Sequence, residues 1–474
     1  MRKKPFTTIV LLFPIFVFCQ DTHYQTYQFG THAALLGGAV VGGTRDNAMI
    51  FYNPALIAFI DSSSFSINAS LYQVENIRIK NILTETKDFK SLQLTSVPLL
   101  TSGQFKTKVA NLRISYGVFS PAAFQFRGQA RIEGIYPVVA DSESPGNETF
   151  VGDENLFSRL RELDVAIGAS YKLGERWGIG LTNLFAVRSQ YYNRAVFTYY
   201  YLNDEKQTLV NTALTQSFNY FNVRYMPKLG VAFRGTNWSW GATVTAPGIR
   251  MLGTGAIGID LLATNVKSGG SGRSTIVANG RQTKLKSYFK SPVSLATGVR
   301  FQTGNTGFFL SATYFGKQDI YPVLRATELP FVRPATAAGL VNSTALLEVK
   351  TAARPVVNVA LGWEQTLSKR LTLDASIRTN RSYYDSRLLN ESGIKPDITT
   401  WDLYHVVGGV TIRKPRSSMS LGLAYGFGSD KSRSDQYLPL PSETNFFKSP
   451  ITSTQATYNS LGLVVGYNYF FRKG

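Results

Sequence analysis

The stretch from Phe29 to Ile60, FGTHAALLGGAVVGGTRDNAMIFYNPALIAFI, decides how the remaining residues are read. It is not a bilayer-spanning helix, because Arg45, Asp46, Asn47, Asn53 and Pro54 interrupt it and five glycines between Gly30 and Gly43 loosen it. It has no period of two, so it is not a half-buried strand either. Apolar side chains need cover and an irregular backbone needs hydrogen-bond partners, so such a segment has to be enclosed by something larger. A long series of alternating runs follows. The expectation is that residues 21–60 form a plug inside a β-structure built from residues 61–474.

Toward the N-terminus, Arg2, Lys3 and Lys4 precede an apolar run from Ile9 to Phe18, the layout of a secretory signal peptide over residues 1–20. Its removal takes away Cys19, the one cysteine, so no disulfide or thiol chemistry is expected. The formal charge falls from +20 to +17, since Arg2, Lys3 and Lys4 leave without an acid. Basic excess points to nucleic acid when it clusters on one face. Here it is spread over an exported chain, which suits anionic lipopolysaccharide outside or an anionic ligand inside, and no nucleic-acid partner is expected. The chain has 25 Tyr and 31 Phe but no 18-residue apolar run after the leader, which argues against a helical membrane protein and fits a transmembrane barrel.

Residues 61–474 divide into about fourteen alternating runs. In one, Leu163, Val165, Ile167, Ala169, Tyr171 and Leu173 share a face, opposite Asp164, Gly168, Ser170 and Lys172. In the last, Leu461, Leu463, Val465, Tyr467, Tyr469 and Phe471 oppose Gly462, Gly466 and Asn468. Large apolar residues are therefore expected to face lipid all the way round, with small or polar residues facing a lumen. Continuous strands are expected over 238–262 and 285–302. The connections 104–108, 174–176, 235–237, 303–306, 367–369 and 414–416 are short, whereas 76–90, 132–159, 202–215, 263–284, 321–353, 386–397 and 429–453 are long. Short turns on one side and long loops on the other define an antiparallel barrel with both termini at the short-turn end. Trp177, Trp238, Trp240 and Trp363 lie near short turns, and Tyr191, Tyr192, Tyr199, Tyr200 and Tyr201 near the opposite strand ends, as two interfacial girdles require. The fold class expected is all-β: a transmembrane antiparallel β-barrel of about 14 strands with the N-terminal plug in its lumen. The loop 321–353 should contribute to the outer mouth, because Leu324, Leu329, Phe331, Val332, Leu340 and Val341 need cover.

Asp46-Asn47-Ala48 followed by Phe51-Tyr52-Asn53-Pro54-Ala55 resembles the N-terminal hatch of the long-chain fatty-acid transporter (FadL/TodX/OMPP1) family of outer-membrane proteins. The block LGVAFRGTNWSWGATVTAPGIRMLGTGAIG from Leu229 to Gly258, and Ser291-Pro292-Val293-Ser294-Leu295, resemble later hairpins of that family, so the likeness covers most of the chain. It implies the outer membrane of a Gram-negative bacterium and a channel for hydrophobic or amphipathic small molecules, fatty acids being the archetype. The implied gate is Phe51, Tyr52, Asn53, Pro54 and Ala55, with Asn53 tying the hatch by hydrogen bonds. In the family a kinked strand opens the wall beside the hatch. Ser120-Pro121 falls within the third run here, where proline removes a ladder donor. Implied partners are a fatty-acid-like ligand, outer-membrane lipid and lipopolysaccharide, and the barrel assembly machinery, with a monomer expected. That machinery commonly reads a terminal aromatic residue, whereas here Phe471 is followed by Arg472, Lys473 and Gly474. A rival reading is a barrel that serves protein secretion or surface anchoring, as some similar barrels do in type 9 secretion.

No enzyme, cofactor or metal is expected. The three histidines, His23, His32 and His405, stand in no metal-ligand spacing, and no GxSxG or Walker sequence occurs. His405 is expected as a hydrogen-bonded wall residue. Charge facing lipid costs about 2–4 kcal/mol at mid-depth, so basic residues within strands are expected inside. By parity these are Arg113, Arg127 and Arg131, Arg188 and Arg194, Arg224 and Lys228, Lys290 and Arg300, and Arg378. Asp164, Glu364 and Asp374 are expected to pair with some of them. Those left over, from Arg113, Arg127, Arg188, Arg224, Lys228, Arg300 and Arg378, are candidates to receive a ligand carboxylate.

Overall fold

A computed structural model describes residues 21–44, 46–81, 88–139, 142–267, 272–327, 332–334, 347–435 and 452–471. Residues 1–20, where a signal peptide was expected, Arg45, Leu329, Phe331, Leu340, Val341 and the tail after Phe471 lie outside the described residues. The wall begins with β1 (Ser64–Lys80), β2 (Phe89–Lys106), β3 (Leu112–Tyr136), β4 (Glu148–Leu173), β5 (Trp177–Tyr201) and β6 (Leu209–Arg234). The seventh stave is β7 (Trp238–Thr245) with β8 (Ile249–Lys267), and the eighth is β9 (Arg273–Lys286) with β10 (Ser294–Thr303). Then come β11 (Thr306–Phe315), β12 (Gln318–Leu324), β13 (Val332–Arg333), β14 (Val349–Ala353), β15 (Val356–Thr366), β16 (Leu371–Asn380), β17 (Leu403–Lys414), β18 (Ser417–Asp435) and β19 (Thr452–Phe470). β19 pairs antiparallel with β1 and closes a fourteen-staved barrel.

Two expected strands are corrected. The run 238–262 breaks at Ala246–Gly248 and the run 285–302 at residues 287–293. Pro247 and Pro292 sit in these breaks and cannot donate to a ladder, so the staves bend there. β7 pairs with β6 and β10, while β8 pairs with β6 and β9.

The larger correction concerns the faces of the wall. Near the short turns, β4 points Leu163, Val165, Ile167, Tyr171 and Leu173 outward and leaves them exposed, as expected. Toward the long loops the same strand keeps its phase, yet Phe150, Leu156 and Leu160 are its inward, buried residues and Asn155 and Arg159 turn outward. β6 repeats this inversion, with Val210, Leu214 and Phe218 inside and Leu229 exposed outside. An exposed apolar band is stable only against hydrocarbon, whereas apolar residues turn inward where water lies outside. Large apolar residues therefore do not face one medium all the way round; the upper wall is a water-facing barrel with an apolar interior.

The described part of 321–353 joins that interior. β12 and β14 form a separate two-stranded sheet, and Val323, Leu324 and Val349 are almost wholly buried in the upper apolar cluster. Val332 is covered through the pairing of β13 with β9.

Residues 21–60 run inside the wall. Ser170 of β4 donates to Pro54 O at 2.6 Å, Thr182 of β5 to Ile50 O at 3.0 Å, and Ser376 of β16 to Leu35 O at 2.8 Å. Wall glycines allow this closeness: a Cβ on Gly180 would lie 2.5 Å from Pro54 C, and one on Gly241 2.2 Å from Val41 O. The segment's irregular backbone thus finds hydrogen-bond partners in small inward wall residues.

Candidate functional site

The upper interior is filled by an apolar cluster drawn from β3, β5, β6 and β8, in which Phe124, Phe126, Tyr192, Phe218, Tyr220 and Ile257 are all buried. At its lower edge lies a charged group. Arg188 Nη1 is 3.2 Å from Glu162 Oε2, and Arg224 Nη2 is 2.9 Å from Glu162 Oε1. Arg188 Nε also donates to Tyr220 Oη at 3.3 Å, and both guanidiniums lie against the Phe289 ring, at 3.9 and 4.9 Å from its centroid. Two guanidiniums share one carboxylate. Arg224 is wholly buried, and its Nε and Nη1 have no hydrogen-bond partner among the described residues.

Glu162 was not among the expected acids. It shares the phase of Asp164, two residues later, but stands where the wall's polarity inverts. Asp164 forms no salt bridge among the described residues.

The other basic candidates do not converge there. Lys228 Nζ donates to Phe51 O and sits 4.5 Å from the Phe51 ring centroid. Arg378 donates to Gln25 O at 2.9 Å and Thr26 O at 2.6 Å, and Arg113 to Ile60 O at 3.1 Å. These three fasten the N-terminal segment. Arg300 lies near the short turns, donating to Gln302 Oε1 at 2.6 Å and standing 3.8 Å from Glu364. Arg194 pairs with Glu154 at 2.6 Å. Arg127 and Arg131, expected inside, are exposed on the outer face, and Lys290, in the break between β9 and β10, is exposed with its Nζ 4.7 Å from the Tyr321 ring centroid. The cause in β3 is a register shift between Phe119 and Ala122 that inserts a residue and reverses the inward parity beyond it. His405 faces inward and is buried, but its Nε2 has no hydrogen-bond partner among the described residues, contrary to expectation.

The turn around Asn53 is well fastened. Asn53 Oδ1 accepts from Ala55 N at 3.1 Å and caps the 3-10 turn Pro54–Phe59. Its Nδ2 donates to Val41 O at 3.0 Å and to Val231 O of β6 at 3.1 Å, joining two parts of the segment to the wall. Asp46 Oδ2 accepts from His32 N at 2.8 Å and Ala33 N at 3.0 Å, and Oδ1 from Ala48 N at 3.0 Å. Tyr52 Oη accepts from Phe29 N at 2.8 Å and donates to Gln28 at 2.9 Å.

Beside this turn the wall is interrupted. The β2–β3 ladder runs from Lys106–Arg113 to Leu100–Phe119 and stops, just before Ser120-Pro121. Pro121 O accepts instead from Thr26 N of the segment at 3.3 Å. Phe119 packs against Phe29 and Phe51, with ring centroids 5.5 and 5.4 Å apart. Beyond, the seam is spanned by Arg127 N donating to Ser91 Oγ at 3.2 Å and by the Phe89–Phe126 ring contact.

At the short-turn end the segment roofs a vestibule of about 690 Å³, whose lining includes His32, Arg300, Glu364 and Arg413. Burial opposes charge on His32, but Asp374 and Glu364 outweigh it and raise its pKa to about 10. Sequence spacing gave no sign of this group, because 342 residues separate His32 from Asp374.

No protein-family model and no curated protein matches the chain by sequence. Its fold does match solved structures. The Pseudomonas putida toluene transporter TodX aligns with a TM-score of 0.58 at 13% identity over 95% of this chain and 100% of that one. A Pseudomonas aeruginosa FadL homologue aligns with a TM-score of 0.59 at 12% identity, covering 94% and 99%, respectively. CymD, a monoaromatic hydrocarbon channel, aligns with a TM-score of 0.52 at 12% identity, covering 94% and 98%. At these identities the likeness is one of fold.

Proposed function

We propose that the chain is an outer-membrane channel for hydrophobic or amphipathic small molecules, fatty-acid-like ligands among them, gated by residues 21–60. In this reading residues 1–20 are a cleaved export signal and the long loops face outside. The observation that carries it is the apolar upper interior, bounded below by a segment that hydrogen bonds and packing, not a β-ladder, hold to the wall.

A hydrocarbon chain that parts this apolar cluster gains about 0.8 kcal/mol per buried CH₂. An anionic head group would find Arg188 and Arg224 at the cluster's lower edge, where Glu162 offsets one of their two charges. Onward passage requires the segment to yield near Asn53, downward to the vestibule or sideways at the β2–β3 seam. Thr26 and Phe29 occupy that seam, so its opening and the segment's displacement are one event.

The test is uptake of a hydrophobic probe by whole cells carrying Asn53→Ala or Pro54→Ala. Gating predicts altered uptake with thermal stability and surface abundance close to wild type. Unchanged uptake, or a loss that merely follows loss of folded protein, would make the segment a static plug. Lipid retained by protein extracted in mild detergent, read by mass spectrometry, supports the ligand class.

A further inference from the structure

Glu364 of β15 and Asp374 of β16 are directly opposed cross-strand partners, both buried and both facing the plug. Like charges so placed repel. His32 reaches between them: its Nε2 lies 2.8 Å from Glu364 Oε2 and 3.0 Å from Asp374 Oδ1. A single imidazolium offsets only one of the two charges. Arg300 and Arg413 each stand 3.8 Å from Glu364, with side chains 36% and 42% exposed at the vestibule, and are held there by hydrogen bonds to Gln302 and Thr372.

From this arrangement we infer a divalent transition-metal site, with His32, Glu364 and Asp374 as protein ligands, the His32 Nε2 proton released to solvent as the ion binds, and vestibule water completing the coordination sphere. One imidazole and two carboxylates form an N/O set suited to zinc and to manganese or iron(II). With metal–ligand bonds of about 2.1 Å, neighbouring ligand atoms of an octahedron stand about 3.0 Å apart. The two separations from His32 Nε2, 2.8 and 3.0 Å, are close to that edge. The three ligand atoms lie within 4.8 Å of one another.

Outer contacts orient the ligands as metal sites require. His32 Nδ1 is 3.0 Å from Thr44 Oγ1, and Thr411 Oγ1 donates to Asp374 Oδ2 at 3.0 Å. The route in is the vestibule, which His32 and Glu364 both line. The ligands come from the plug and from two wall strands, so a bound ion staples one to the other. That consequence, unlike the site itself, rests on the plug being the gate.

The experiment is a calorimetric titration of the full chain in mild detergent with zinc chloride, with magnesium chloride as control. One saturable zinc per chain is expected, weakened at least about tenfold by His32→Ala and by Asp374→Asn, with unaltered magnesium response. Thermal melting checks the fold, and Glu364→Gln replaces any variant that does not fold. No saturable zinc, or equal affinity in the variants, overturns the site. Bound zinc should also slow hydrogen exchange over residues 31–41; unchanged exchange in the zinc-loaded protein keeps the site and overturns the staple. Slowed exchange with undiminished probe uptake would overturn the gating role of the plug and leave the site standing.

Discussion

The lower and upper halves of the wall share strands and phase but are opposite in construction. On β4, Val165 and Ile167 face out below, while Leu156 and Leu160 face in above. Glu162, Arg188 and Arg224 meet near the change of polarity. The difference shows that alternation reports which residues share a face but not which medium that face meets. Hydrocarbon outside requires an apolar exterior and tolerates a polar lumen, and water outside requires the reverse. The lumen is polar below, where residues 21–60 cross it, and apolar above.

The comparison is tested most strongly inside the upper half. Phe126 is wholly buried and packs on Phe89, so Phe126→Ala should cost about 3–5 kcal/mol, measured by denaturant unfolding of the reconstituted protein. A cost below about 1 kcal/mol would mean that the upper half is not a packed interior.

The outer face gives a paired test on one strand, since Leu229 and Asn219 both point outward from β6. Leu229→Arg should cost about 2–4 kcal/mol, as a charge placed against lipid, and Asn219→Arg should stay within about 0.5 kcal/mol. Equal costs would remove the inversion.

The smallest effect on barrel stability is local and concerns how residues 21–60 meet the wall. Arg378→Met removes the hydrogen bonds to Gln25 and Thr26 carbonyls. Each such charged hydrogen bond contributes about 1.5–3 kcal/mol, so hydrogen exchange over residues 25–29 should quicken about tenfold or more while barrel melting hardly moves. Exchange as slow as wild type would mean that the Phe29, Phe51 and Phe119 packing holds the segment unaided.

Much of the barrel was legible because strand parity and turn length are local properties. Leu163 to Leu173 identify a lipid-facing stave without any knowledge of its neighbours, and the alternation of short and long connections is enough to count fourteen. The Phe51–Ala55 turn was legible for a similar reason: Asn before Pro sets a local cap, and Asn53 does cap the turn that follows. Arg127 and Arg131 were misplaced because one extra residue at Ser120-Pro121 reverses every later side chain, and a proline does not announce whether a strand bulges or ends.

The sequence by itself determined an all-β closed wall, its stave number, its enclosed N-terminal segment and the position of its kink, because each follows from neighbours within a few residues. Only the tertiary structure decided where the wall's polarity inverts, that Arg188 and Arg224 share Glu162, that Thr26 fills the gap in the β2–β3 ladder, and that His32 meets Glu364 and Asp374. Those contacts join residues brought together only when the barrel closes around the plug, and their energies depend on which medium, lipid, water or protein, lies on each side.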